Sequence, residues 1–540
     1  MSISNFQRTM RIGSTALILA GLLGVGTLAS ASDKKSTPAP SKPAPAAKPA
    51  PAAKPAGNSG GGAVHGPSAS GPSASHPNGG PSANNPSAGP SANHPNAGPS
   101  ANRPGVTPRP GGPGNPQARP GGGSFQPRTG EQGPARMGQQ RPGQVPIPRG
   151  VHELRGASGS TVRMRANGGP SEIHDARRGM TINHGLNGGR RVAVEDRMHN
   201  RTVYERGRAG YVQHPYSFHG HEFAQRTYFY HGRAYSRLYY GYGYRGMYLN
   251  VYAPRFYYGP AFYGWAYNPW AAPITFGWGF GGNPWYGYYG YYFAPYPMYP
   301  SASYWLTDYM ISSDLQAAYA AHVEAGEADG APQGAGGPPE LTPDVKQQIA
   351  DEVRAQLALE NQEGLRQAHQ LDVDPGSSGI DRMLDDAAHG RPHVFVVGAA
   401  LDVVDASQTE CLLSDGDVLA LQAAPTSDAK AADLVVLSSK GGQECQKQTT
   451  VSVALDDLQE MQNHMRETID QGLQELQAKQ GRGGVPAAPA AAQGQPTPAQ
   501  YAAIAPPPDP DAANEIQQQA QQGDQAEREV TAEAGAGGGR

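Results

Sequence analysis

From about Val151 onward, apolar and polar residues alternate in short runs, the period-2 signature of half-buried strands. Residues 161–165, 180–184, 191–195, 202–205, 223–230 and 233–239 are predicted strands. Turn chemistry separates them at Asn167-Gly168-Gly169-Pro170, Asn187-Gly188-Gly189, His199-Asn200 and His231-Gly232. Short strands joined by tight turns predict an all-β antiparallel meander over 149–240. Its larger apolar positions are few: Val162, Met164, Met180, Ile182, Val192, Val194 and Val203. A thin sheet or ribbon is therefore expected, with Arg and Tyr along its exposed face. Between 241 and 325 Gly and Pro interrupt every few residues, and strands give way to turns packed by Tyr. A short helix closes this block over 301–323, carrying Trp305, Leu306, Tyr309, Met310 and Leu315.

Helical spacing takes over after a Gly-Ala-Pro linker at 326–339. Thr342-Pro343 forms a helix start, and Val345, Ile349, Val353 and Leu357 follow at four-residue spacing to about Leu371. Strands are predicted at 393–397, 401–404, 417–421, 434–438 and 450–453. A last amphipathic helix, 456–479, presents Leu458, Met461, Met465, Ile469, Leu473 and Leu476 on one face. Residues 340–480 thus read as a small α+β module: helix, five-stranded barrel-like sheet, helix. The two helices are expected to pack together, or 456–479 to recruit a partner helix or coiled coil. The tail, 481–540, is rich in Pro, Ala, Gln and Gly, and is expected to be disordered apart from a frayed helix around 512–526.

The N-terminal third carries no comparable pattern. Arg8 and Arg11 precede an apolar run, 12–28, and Ala29-Ser30-Ala31, which predicts a signal peptide over 1–31. The alternative is a retained N-terminal anchor; no later segment reads as a membrane-spanning helix. Residues 32–148 form a low-complexity tether. A Pro-Ala-Lys stretch comes first, then imperfect Gly-Pro-Ser-Ala repeats with nothing larger than Ala to bury. Such a segment cannot recover its ordering entropy and is expected to stay disordered. The chain as a whole is expected to be mostly disordered or low-complexity, with two structured regions.

The five strands of 393–453, entered through Gly416-Asp417 and Asp417-Val418-Leu419, resemble small bacterial SH3-like barrels. The resemblance implies a cell-wall or peptide-binding module. Phe395 is the only aromatic residue there, so no binding residues are carried over. By composition alone, the middle block resembles Tyr/Gly-rich structural proteins.

Composition sharpens the picture in the middle of the chain. Of 27 Tyr, 25 lie between Tyr204 and Tyr309, with all 5 Trp. The formal net charge of −3 conceals a division: 103–255 carries 23 Arg, no Lys and 8 acids, whereas 256–540 carries 13 bases and 37 acids. Arg makes planar bidentate contacts with phosphate and carboxylate and stacks on rings. The Arg-rich region is therefore read in three ways: binding an anionic polymer, docking on the acidic half of the chain, or supplying solubility. The candidate contact residues are Arg226, Arg233, Arg237, Tyr239, Tyr242, Tyr244, Arg245, Trp265, Trp270, Trp278 and Trp285.

The two cysteines, Cys411 and Cys445, are expected to pair in an oxidising compartment. His219 and His221 are weak metal candidates, set against a reading as stacked aromatics. No zinc-protease, nucleophile-elbow or phosphate-loop motif occurs, and no cofactor is expected. The function these features point to is an exported, non-enzymatic envelope or matrix protein, periplasmic or extracellular. Its Arg/Tyr/Trp region would contact an anionic wall or matrix polymer or another copy of itself. The alternatives are an extracellular nucleic-acid binder and a wall-directed hydrolase.

Overall fold

The computed structural model describes residues 146–324, 339–369, 374–442 and 444–537. The predicted signal segment, nearly all of the tether and most of the 326–339 linker lie outside the described residues.

The alternating runs form one antiparallel sheet of ten strands, ordered across the sheet as along the chain. They are β1 (His152–Arg155), β2 (Thr161–Met164), β3 (Pro170–Asp175), β4 (Met180–His184) and β5 (Arg190–Glu195). The second half comprises β6 (Arg201–Glu205), β7 (Gly210–Phe218), β8 (His221–Tyr230), β9 (Arg233–Tyr244) and β10 (Met247–Ala253). The turns close as their chemistry predicts. At both Asn-Gly-Gly sites the Asn side chain accepts from the second Gly N–H, at 3.0 Å for Asn167 and 2.9 Å for Asn187. The first Gly has positive φ, 84° at Gly168 and 75° at Gly188, a region costly for other residues. The meander extends past 240, because β10 is hidden in the aromatic block. Strands β1, β3 and β7 also escape the pattern, β7 because Pro215 argues against a central strand.

After β11 (Phe256–Tyr257) come α1 (Pro260–Tyr267), α2 (Pro284–Tyr289) and α3 (Ala302–Glu324). The aromatic block does not merely wrap onto the sheet. It builds a core of its own with α3, α4 (Pro343–Ala368) and part of α6 (Leu455–Lys479). Trp305 is fully buried, stacked on Trp278 at 4.9 Å and on Tyr309 at 5.3 Å. Helix α4 starts as expected, with the Thr342 side chain accepting from the Val345 N–H at 3.4 Å and Pro343 in the first turn.

Helix α5 (Ile380–Ala388) leads into a second sheet, one strand larger than predicted. It contains β12 (His393–Val396), β13 (Leu401–Asp405), β14 (Glu410–Leu413), β15 (Val418–Leu421), β16 (Ala431–Ser438) and β17 (Thr450–Ala454). The ladders run β12-β15-β16-β17-β13-β14. The extra strand, β14, carries Cys411, which is disulfide-bonded to Cys445. Helix α6 is buried on several sides. Its predicted apolar face lies in the cores, so it is not presented to a partner helix. Its Asn463 accepts from Tyr252 N–H at 2.8 Å and donates to Asn250 carbonyl at 2.7 Å, which satisfies the outer edge of β10.

The tail expected to be disordered is folded over its described length. It carries β18 (Thr497–Pro498), paired with β11, then α7 (Gln500–Ala503) and α8 (Ala512–Gly537). Cross-strand register aligns Val162, Ile173, Ile182 and Val192 in one row, and Ala526, Val530 and Ala534 of α8 pack on it. Small residues allow this close approach: a Cβ at Gly523 would lie 2.9 Å from a Val192 methyl. The helix expected to fray around 512–526 instead runs to Gly537, held by an apolar stripe that is mostly Ala. No helix among the described residues is long and apolar enough to cross a membrane.

Candidate functional site

Strand alternation places Arg226, Arg237 and Tyr239 on the sheet face that α6 covers, so they are not exposed as expected. Arg226 is 1% exposed and grips Glu460 with both Nη atoms, at 2.8 and 2.7 Å. Its Nε donates to Gln213 at 2.8 Å, and its guanidinium lies 4.0 Å from the centre of the Tyr239 ring. Tyr239 meets Tyr228 at 2.8 Å and donates to Glu467, which also faces Arg237 at 3.7 Å. The four tryptophans singled out as contact residues belong to the aromatic core. Trp270 and Trp285 are buried, Trp265 stacks on Trp270, and Trp278 donates to the Tyr299 hydroxyl at 2.6 Å.

The remaining arginines tell a similar story. Arg178 reaches Glu529 at 2.8 Å, Arg190 reaches Asp524 at 3.0 Å, and Arg177 reaches Glu533 at 3.2 Å, all on α8. Arg165 joins Glu410 at 2.7 Å and Asp402 at 2.8 Å on the second sheet. Of the three readings of the basic region, docking on the acidic half of the chain is the one these contacts embody. Arg245 donates to the carbonyls of Thr426 and Ala429, with its guanidinium over the Tyr244 ring. Arg233 stays exposed.

Tyr242 alone among the predicted tyrosines lines an open groove, of about 510 Å³, where the turn between β7 and β8 meets β9, β10 and the segment at Asp374-Pro375. Three glycines, Gly220, Gly241 and Gly243, leave its floor bare. Gly241 pairs with Glu222, and Gly243 with Tyr248, so the Tyr248 ring leans diagonally over Gly241. A Cβ at Gly241 would occupy the space of the Tyr248 hydroxyl. That hydroxyl donates to Glu222 at 3.0 Å, and the ring stacks on His199 with centroids 3.5 Å apart. Tyr242 donates to Asp381 at 3.3 Å. Burial pushes the Asp381 carboxyl up to about 6 against hydrogen bonds that lower it.

Of the residues that shape this site, only Tyr242 and His221 stood out in the sequence. Tyr248, Asp374 and Asp381 did not, because they come from separate elements with no shared motif. His219 sits in the turn with φ 50° and stacks on Phe218 at 3.9 Å, rather than sharing a strand face with His221. Among the described residues no cluster of three or more His, Cys, Asp or Glu is placed to hold a metal ion. What the groove offers is flat rings beside carboxylates over a bare backbone floor.

The fold and the site define a class only: a disulfide-bonded α+β protein with a ten-stranded meander, an aromatic helical core and an aromatic, acidic groove. No protein-family profile, no curated protein and no solved structure matches the chain.

Proposed function

We propose that this chain is an exported, envelope-associated binding protein without enzymatic activity, and that it meets its partner at the groove beside Tyr242 and Tyr248. The observation that carries this reading is the groove's lining: two tyrosine rings and His221, flanked by Glu222 and Asp374 over glycine. Ring faces stack on sugars and attract cations, and carboxylates accept hydrogen bonds from hydroxyls and amines. The groove therefore suits a wall or matrix polymer presenting sugar rings or amines. An anionic polymer suits it less, because most of the arginines that would hold one already face carboxylates of this chain. The nucleic-acid alternative weakens for the same reason. Export is supported by the leader-like N-terminus and by the Cys411–Cys445 disulfide.

The test is sedimentation of the purified protein with envelope fractions at low and high salt. Retention by the wild type, lost in Tyr242→Ala/Tyr248→Ala, supports the reading. Retention unaffected by that double variant, or none at all, refutes it. One observation favours a second reading: Asp381, its carboxyl raised by burial, accepts from Tyr242 beside a groove that also holds Glu222, and glycoside hydrolysis uses two carboxyl groups. Release of reducing ends from wall polysaccharide, abolished in Asp381→Asn, would replace the binding proposal with that one.

A further inference from the structure

Away from the groove, the second sheet buries a lysine among carboxylates. We propose that Lys440 and Asp417 join in an intramolecular amide bond that the folded protein forms by itself. Asp417 immediately precedes β15 and Lys440 lies two residues past the end of β16, and Val418 pairs with Ser438 across these antiparallel strands. The two side chains therefore meet at one end of the strand pair, with Nζ 2.5 Å from Oδ1. Both are withdrawn from solvent: the Lys440 side chain is 5% exposed and that of Asp417 is 0% exposed. The fully buried Tyr292 ring flanks Nζ at 4.8 Å.

The groups that amide formation requires surround this pair. Glu444 lies 3.9 Å from Nζ, and Ser414 bridges them: its Oγ accepts from Nζ at 2.8 Å and donates to Glu444. The Ser414 backbone N–H points at Asp417 Oδ2 from 2.8 Å, where negative charge develops when Cγ is attacked. Glu444 is itself held by Lys440 N–H at 2.6 Å and Ser439 Oγ at 3.1 Å, beside the disulfide at Cys445.

The step balances without a co-reactant. Burial pushes the Asp417 carboxyl up to about 7, so its neutral form is populated. Burial lowers the Lys440 pKa, but the Asp417 and Glu444 charges outweigh it, so Lys440 rests as the ammonium; with Asp417 in its neutral form, proton transfer through Ser414 Oγ to the Glu444 carboxylate comes first. The freed amine lone pair adds to Asp417 Cγ, forming the C–N bond. Collapse of the adduct breaks Cγ–Oδ1, and that oxygen leaves as water carrying protons from nitrogen and from the carboxyl group. Ammonium, carboxylic acid and carboxylate become amide, water and protonated Glu444. Fixed contact in a site closed to bulk water supplies the effective concentration that favours condensation.

The bond would tie β15 to β16 where Tyr292 of the aromatic core donates to the Gly416 carbonyl at 2.7 Å. It would add a reductant-proof link beside the disulfide, a purpose separate from ligand binding in the groove. The experiment is intact-mass measurement of the full purified chain, denatured and reduced, with its N-terminus mapped. The expected mass is below that of the sequence by one water, and digestion yields a branched peptide joining the Asp417 and Lys440 segments. Glu444→Gln and Lys440→Arg should restore the full mass. The wild type at full mass after incubation at neutral pH overturns the proposal, as does water loss without a branched peptide. The wild-type peptide map decides the matter even where a variant fails to fold.

Discussion

Replacing Glu460 with Gln removes one charge of the bidentate pair with Arg226 while keeping the side chain's shape. Burial pushes the Glu460 carboxyl up, but the charge and hydrogen bonds of Arg226, with Arg201 and Arg191 beyond, outweigh it and hold the group at about 2, against an ordinary 4.5. Linkage converts that difference to about 3 kcal/mol. The Glu460 side chain is 39% exposed, so solvent screening reduces the figure to roughly 2 kcal/mol. Against this, Arg226 is 1% exposed and would keep Gln213, one bond to the Gln amide oxygen and ring faces, but no opposing charge in contact, and orphaning a buried charge costs about 3–5 kcal/mol. The expected loss for Glu460→Gln is therefore about 2–3 kcal/mol at pH 7. The folded pKa is depressed, so the wild-type advantage is complete above the unfolded value near 4.5 and lost as pH falls through about 2. Urea denaturation followed by tryptophan fluorescence, which adds no salt to screen the pair, should show the gap at about pH 3 shrinking to less than half its neutral value. A gap below about 0.5 kcal/mol at pH 7, the size of an ordinary surface effect, would refute the claim that sheet and helix are joined through this pair.

Three further outcomes follow from other contacts. Gly523→Leu should push α8 off Val192 and raise hydrogen exchange across 512–537, at an overpacking cost of about 1–3 kcal/mol; unchanged protection would mean that α8 is not seated there. Removing the disulfide in Cys411→Ala/Cys445→Ala should lower stability by about 4 kcal/mol in the chain-entropy account of a 34-residue separation, read as a denaturation midpoint; an unshifted midpoint would contradict it. Burial lowers the His464 pKa, but the Asp314 carboxylate, 2.6 Å away, outweighs this and raises it to about 9, so its stabilisation is full below 6.5 and lost as pH rises through 9. His464→Gln should flatten the stability profile over that interval, and an identical alkaline profile in the variant would rule the pair out.

Burial of Arg226, with half-buried Arg237 beside it, explains why a chain so divided in charge has an interior that depends on that division. The basic strands and the acidic helices are two halves of one interface, closed by α6 on one sheet face and α8 on the other. Paired guanidinium groups supply bidentate geometry within the fold, and the groove is left to rings, glycines and carboxylates.

Local pattern alone was sufficient for much of the architecture. Asn-Gly-Gly turns, the Thr342-Pro343 helix start and the four-residue spacing of α4 and α6 are decided within a few residues, because φ preferences, capping and periodicity are short-range properties. Strand alternation likewise states that Arg226 and Tyr228 share one face while Tyr240 and Tyr242 share another. It cannot state what covers either face, because the covering helices come from more than two hundred residues further along the chain. That choice turned the predicted contact tryptophans and Arg226 into core. It gave order to an Ala-rich tail that could not have ordered itself, and it brought Tyr242, Tyr248 and Asp374 to one groove. Which face is wet and which is dry depends on what packs against it, and only the assembled tertiary structure supplies that.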